Sequence, residues 1–315
     1  MTTQQHPLTD EHLYLTDSGL ETTLVFNEGM DLPCFAAFVL LKDETGTDRL
    51  RRYYQQHIDI ALEYGFGFVL ESTSWRASSD WGDKLGYTRD ALAQANRQSI
   101  ELLRDLRDKN QTRESPMVIS GNLGPRGDGY SPDQLMTTDE ATAYHTTQIR
   151  VLSEAGADIV TALTLTNSDE AIGIVKAAQA INIPVIISFT VETDGRLPNG
   201  QSLHGAIETV DGATNNGPAY YMINCAHPSH FEDVLAPDAS WLTRIQGIRA
   251  NASCKSHAEL DNSDTLDDGN PEELGRQYSE LRNLLPNLKV VGGCCGTDHR
   301  HVDAIARQCR TQWTD

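Results

Sequence analysis

Eight short apolar runs, separated by longer segments with the 3.6-residue period of amphipathic helices, constrain this chain more than any other feature of it. The runs lie at 13–17, 66–71, 117–121, 158–163, 184–189, 220–224, 242–248 and 288–292, and helical periodicity is plain at 50–64, 89–109, 138–155, 168–181 and 271–285. Strand-length runs alternating with helices are the pattern of βα units around a parallel sheet. Eight such units predict an α/β fold of the (β/α)8 TIM-barrel type, as one domain over residues 1–315. The rival is an open doubly wound sheet. It would carry a phosphate-binding glycine fingerprint, but G-x-G-x-x-G is missing from the first βα turn and G-x-x-x-x-G-K-[ST] occurs nowhere.

Composition narrows the partners. A formal net charge of -20 repels nucleic acid and anionic membrane surfaces, and no stretch approaches the 18 apolar residues of a membrane span. The amino terminus, Met1-Thr-Thr-Gln-Gln-His-Pro, has neither a basic nor an apolar signal segment, so a cytoplasmic protein is expected. Six cysteines in 315 residues are too sparse for a disulfide framework. The oligomeric state is not encoded in any pattern we recognise.

In a (β/α)8 barrel, chemistry belongs at the carboxyl ends of the strands. Adjacent Cys294 and Cys295 follow the eighth run within Gly292-Gly-Cys-Cys-Gly-Thr297, and Cys225 ends the sixth. Glycine lets the backbone turn through left-handed dihedrals, so two neighbouring thiolates can reach one soft ion. Three sulfurs leave a zinc ion one open position, which is the mark of a catalytic rather than a structural site. Cys34, Cys254 and Cys309 lack this context and read as small hydrophobes. His299 and His301 lie close by, but Thr297-Asp298 supplies N-cap chemistry, so both are expected to open the last helix. The stretch 253–270, with Asp261, Asp264, Asp267 and Asp268, reads as a solvated acidic loop.

Asp17-Ser-Gly-Leu at the first run, Asn224-Cys225 at the sixth and the Gly-Gly-Cys-Cys-Gly-Thr turn at the eighth together resemble the homocysteine S-methyltransferases. The resemblance runs from about Leu13 to Arg307 and takes in Gly156-Ala-Asp158 and Gly200-Gln-Ser-Leu203. It implies a zinc-bearing barrel that moves a methyl group from a sulfonium, quaternary ammonium or folate donor to the thiol of homocysteine. It also implies Cys225, Cys294 and Cys295 as the zinc ligands and Asp17 as a residue that helps hold the amino acid acceptor. The chain is too short for the folate and cobalamin domains of the large methionine synthases.

The reaction suits the residues. A free thiol is mostly protonated at neutral pH, whereas a metal-coordinated thiol is deprotonated. A cationic methyl donor leaves as a neutral molecule and needs no general acid, and an acidic or aromatic mouth would hold such a cation. Glu71, Trp75 and Trp81 are candidates for that mouth. One position departs from the family. Leu163 stands where many members carry a glutamate for the acceptor's amino group, and Glu21 or Glu71 is the candidate replacement, with Arg76 available for a substrate carboxylate. The acceptor expected is homocysteine or a related small thiol. The alternatives are a zinc-dependent hydrolase on the same barrel, disfavoured by the lack of H-E-x-x-H, and a non-catalytic zinc- or thiol-binding protein.

Overall fold

The eight runs become eight parallel strands that close on themselves in sequence order. The computed structural model describes residues 7–8, 12–129, 135–236 and 239–313, so the polar segment 1–6 lies outside the described residues. The strands are β1 (Tyr14–Leu15), β2 (Gly67–Glu71), β3 (Met117–Leu123), β4 (Ile159–Leu165), β5 (Val185–Phe189), β6 (Tyr221–Asn224), β7 (Ile245–Ala250) and β8 (Val290–Gly293). The ring closes where Tyr14 and Leu15 pair with Val290 and Val291. The expected (β/α)8 barrel is therefore the observed fold.

Ten helices accompany the strands among the described residues. They are α1 (Leu20–Thr22), α2 (Glu44–Tyr64), α3 (Ser79–Lys84), α4 (Arg89–Asn110), α5 (Thr138–Ala155), α6 (Ser168–Ile181), α7 (Leu203–Thr214), α8 (His257–Asp261), α9 (Pro271–Leu284) and α10 (His299–Trp313). Their ends follow local chemistry. Thr137 and Glu140 form a reciprocal capping box at the start of α5, and Asn182 in the left-handed region ends α6. The helix α2 begins earlier than its periodicity suggests, because Asp43 accepts a bond from the Gly46 N–H at 2.8 Å. No helix of the described residues is long and apolar enough to cross a membrane.

Side chains alternate along a strand, so inward positions recur every second residue. Tyr14, Val69, Val118, Ile186, Met222 and Val290 belong to one fully buried cluster that plugs the amino end of the barrel. Gly67 makes room there, since a Cβ at that position would sit 2.5 Å from the Tyr14 ring. Two residues further along each strand the same inward face turns polar. Val69 is followed by Glu71, Val118 by Ser120, Ile186 by Ser188, Met222 by Asn224 and Gly247 by Arg249, all of them buried. The plug thus forms the floor beneath a polar layer that opens toward the carboxyl ends of the strands.

Two expectations need correction. The seventh strand spans Ile245–Ala250 rather than 242–248, because Ser240–Arg244 coils into a 3-10 turn and delays its start. The acidic stretch 253–270 is not simply a solvated loop. It contains α8, whose Ser256–Glu259 capping box sets it down with His257 buried and Asp261 at the mouth of the barrel.

Candidate active site

A cavity of about 290 Å³ opens at the carboxyl ends of the strands, above the polar layer. Asp17, Glu21, Glu71, Leu163, Cys225, Cys294 and Cys295 all line it, so the three candidate metal ligands and the three candidate carboxylates meet there. Three of them form a cluster. The sulfurs of Cys225, Cys294 and Cys295 lie within 4.8 Å of one another and are the one group of three metal-ligating side chains so placed among the described residues. Cys225 Sγ is 2.8 Å from Cys294 Sγ and 3.4 Å from Cys295 Sγ. A tetrahedral zinc with Zn–S near 2.3 Å asks for sulfurs roughly 3.8 Å apart, so an all-thiol donor set with one face on a cavity fits such an ion after small adjustments.

Backbone geometry delivers these thiols. Cys225 leaves β6 with φ +56°, a left-handed conformation that a side chain tolerates at a cost of about 1–2 kcal/mol. Its carbonyl accepts bonds from His257 Nε2 at 2.7 Å and Thr190 Oγ1 at 3.3 Å, and its N–H donates to the Arg249 carbonyl at 3.1 Å. On the other arm, Gly296 at φ +81° lets the chain turn back, so that the Thr297 N–H and hydroxyl both donate to the Cys294 carbonyl. The close sulfur contacts from Cys225 and Cys295 draw the Cys294 thiol below the ordinary range, and the Arg249 guanidinium adds to the effect.

Asn224 ties the cluster to the opposite wall. Its amide oxygen accepts from the Thr164 N–H at 2.8 Å and the Ser188 hydroxyl at 2.6 Å, while its nitrogen donates to Thr164 Oγ1 at 2.9 Å and lies 3.8 Å from Cys294 Sγ. Thr164 itself has φ +62°, unusual for a β-branched residue, and marks an irregularity in the pairing of β4 with β5. One amide therefore holds the bulged end of β4 and orients a thiol.

Arg249 is the residue that inspection of the sequence missed. It is 4% exposed, and its Nη2 donates to Asp17 Oδ1 at 2.8 Å and to the Ser18 carbonyl at 3.1 Å, while Nε reaches the Gly293 carbonyl at 3.0 Å. Burial works against its charge, but Asp17, Glu71 and Cys294 hold it protonated. The signal was available in the period-two face of β7, where Gly247 and Arg249 both point inward. Ending the expected strand at residue 248, two residues short of Ala250, hid it. The other Asp17 oxygen takes the Tyr53 hydroxyl at 3.2 Å, so both oxygens of that carboxylate have protein partners.

Glu71 differs. It is 3% exposed, and its Oε2 has no hydrogen-bond partner among the described residues. Burial pushes its pKa up to about 7, against the pull of Arg249 and of hydrogen bonds from Ser120 and Thr161 to the carboxyl. Burial also raises Glu21 to about 7, although Glu21 lies at the half-exposed rim. Leu163 is buried in the same wall.

At the mouth, Trp75, Arg76, Asp128 and Asp261 line the cavity. Arg76 stacks over Trp81 at 3.9 Å and Trp75 at 4.8 Å, donates to the Cys34 carbonyl and faces Asp128 at 3.9 Å. Trp81 is the sequence candidate that drops out. Its ring takes Arg76 and also Lys84 at 4.1 Å, and it does not line the cavity. Neither histidine near the cysteine turn joins the cluster. Asp298 caps α10 by accepting the Arg300 N–H at 2.9 Å, His299 is exposed, and His301 is buried against Asp298 and the Asp268 carbonyl. Cys34, Cys254 and Cys309 are free thiols elsewhere.

Known proteins place this geometry. The chain is 22% identical to Homocysteine S-methyltransferase 1 of Arabidopsis thaliana, over 94% of this chain and 93% of that one. It is 24% identical to Homocysteine S-methyltransferase 2 of Zea mays, over 92% and 88%. Its fold matches the oxidised form of the homocysteine methyltransferase MmuM from Escherichia coli with a TM-score of 0.72 at 19% identity, over 95% and 97% of the two chains. The metallated form of that protein matches with a TM-score of 0.70. The family model described as homocysteine S-methyltransferase matches residues 14–309. The chain belongs to the homocysteine S-methyltransferase family.

Proposed function

We propose that this methyltransferase moves a methyl group from a sulfonium or betaine-type donor to the thiol of homocysteine, with zinc held by Cys225, Cys294 and Cys295. The observation that carries the reading is the cluster of three thiols facing a cavity lined by carboxylates. Zinc bound by three cysteines supplies the Lewis acidity that turns an acceptor thiol into a thiolate at neutral pH. Everything else falls to the chain. Asn224 and His257 hold two of the thiols in place through the bonds described above, and Arg249 offsets part of the negative charge gathered around Cys294.

Asp17 is paired with Arg249, so Glu21 and Glu71 are the carboxylates of the cavity left to suit a cationic donor and the acceptor's ammonium group. Trp75 lines the same cavity and offers an aromatic side chain to a cationic donor. Because the methyl carbon passes from one sulfur or nitrogen to another sulfur, no proton has to be delivered to the departing neutral group. The test is to incubate zinc-loaded protein with homocysteine and a panel of donors, S-methylmethionine, S-adenosylmethionine and glycine betaine, and to detect methionine by mass spectrometry. Methionine from a simple sulfonium or betaine supports the reading. A strict requirement for the adenosyl group overturns the donor assignment, and no product from any donor overturns the whole.

A further inference from the structure

We infer that Glu71 on β2, together with Asn122 on β3, is the subsite for the ammonium group of the acceptor, and that Asp17 is not. This rests on the cavity being the thiol-acceptor site. Three observations lead to it.

Asp17 already has its cation. Both its oxygens are bonded, one to the buried Arg249 guanidinium at 2.8 Å and the other to Tyr53, so it offers an incoming ammonium little uncompensated charge. Across the cavity the balance is reversed. Glu71 Oε2 and Asn122 Oδ1 are both buried hydrogen-bond acceptors with no donor from the protein among the described residues, and both side chains line the cavity. Register places them together. Glu71 pairs with Ser120, and Asn122 is the next inward residue along the same strand. Buried acceptors left unpaired cost about 1–3 kcal/mol each, which favours a ligand that brings donors to them.

The chemistry of that ligand is narrow. A sulfonium centre or a quaternary ammonium has no N–H to give, so the methyl-transferring end of the donor cannot satisfy these oxygens. A primary ammonium has three N–H donors and a positive charge. Leu163 then has a role as it stands. It is buried in the adjoining wall, where its apolar side chain offers the ammonium nothing and leaves Glu71 as the deep carboxylate available to it.

The experiment compares two thiols that each keep one of the two charged groups of homocysteine. 3-Aminopropane-1-thiol keeps the ammonium of homocysteine and lacks the carboxylate; 4-mercaptobutanoate keeps the carboxylate and lacks the ammonium. With zinc-loaded wild-type protein and the donor of that panel that yields most methionine, the aminothiol should exceed the mercaptoacid by at least roughly tenfold in kcat/KM, the scale of one charge-assisted hydrogen bond. In Glu71→Gln that ratio should collapse toward one. Homocysteine should lose roughly tenfold to a hundredfold in kcat/KM, mostly through KM. Equal use of both thiols by the wild type overturns the subsite, as does a Glu71→Gln variant that keeps the ratio. A collapse in Glu21→Gln instead would move the site to the β1–α1 rim. Should Glu71→Gln fail to fold, the wild-type ratio still decides. If no thiol is methylated, the transferase reading falls separately, and calorimetric titration with the same two thiols still decides the subsite.

Discussion

The two walls of the cavity are built on opposite principles. On the side of β6, β7, β8 and β1, the polar groups are largely saturated. Arg249 spans Asp17, Ser18 and Gly293, Asn224 spans β4, β5 and the Cys294 thiol, and the cysteine carbonyls are tied down by His257 and Thr297. On the side of β2 and β3, Glu71, Thr73 and Asn122 each keep a buried polar atom without a hydrogen-bond partner among the described residues. A saturated wall holds its shape without a ligand, as a set of metal ligands must. An unsaturated wall stores hydrogen-bonding capacity for whatever binds. The contrast teaches that the fold by itself orders the thiol end of this cavity, whereas the β2 and β3 end keeps hydrogen-bonding capacity that the fold does not use.

The largest effect expected is on the saturated wall. Cys294→Ala should bring bound zinc from about one per chain to near none and reduce activity to background, while circular dichroism stays that of the folded barrel. Elemental analysis showing full zinc with normal turnover would break the assignment of that wall.

Next in size is Arg249→Met, which strands the buried Asp17 carboxylate. Removing one member of a buried pair costs about 3–5 kcal/mol, and chemical denaturation should show it. Burial already raises the Asp17 pKa despite Arg249. Without the guanidinium that carboxyl rises further, so the deficit should shrink as pH falls and Asp17 protonates. A deficit that does not vary with pH would mean that the pair is not what the variant disturbs.

The unsaturated wall predicts the opposite sign. Glu71 has a folded pKa of about 7 against an ordinary 4.5, so the folded state holds a proton that the unfolded chain has lost over that interval. Its contribution is most favourable below pH 4.5 and declines as pH rises through 7. Glu71→Gln should therefore match the wild type near pH 4.5 and exceed it by up to about 3 kcal/mol near pH 8, measured by urea unfolding without substrate. A variant less stable than wild type at pH 8 would show that Glu71 is structurally paired. The smallest effect is expected at Cys254→Ser. This thiol is exposed and outside the cluster, so zinc content should be unchanged and stability should move by less than about 0.5 kcal/mol.

Much of the molecule was legible beforehand for physical reasons that are local. Strand-length apolar runs can only be buried by pairing, and eight of them alternating with amphipathic helices leave few architectures besides a closed barrel. The helices α5 and α6 matched expectation to the residue, because their caps are short-range hydrogen bonds. The cysteines could be assembled for a related reason: positions at the carboxyl ends of two strands of one parallel barrel must lie on the same rim.

What could not be read is what depends on partners distant in sequence. Arg249 and Asp17 are 232 residues apart, and nothing local to either marks one as the other's counterion. Nor does composition reveal that Glu71 Oε2 lacks a hydrogen-bond partner among the described residues while both oxygens of Asp17 have one, or that Arg76 occupies the ring of Trp81. Residue type and periodicity specify which groups reach the cavity. Whether a group arrives spent or available depends on the neighbours that closure of the barrel brings to it, because a buried charge or hydrogen-bond acceptor is defined by its partners and by the water it has lost.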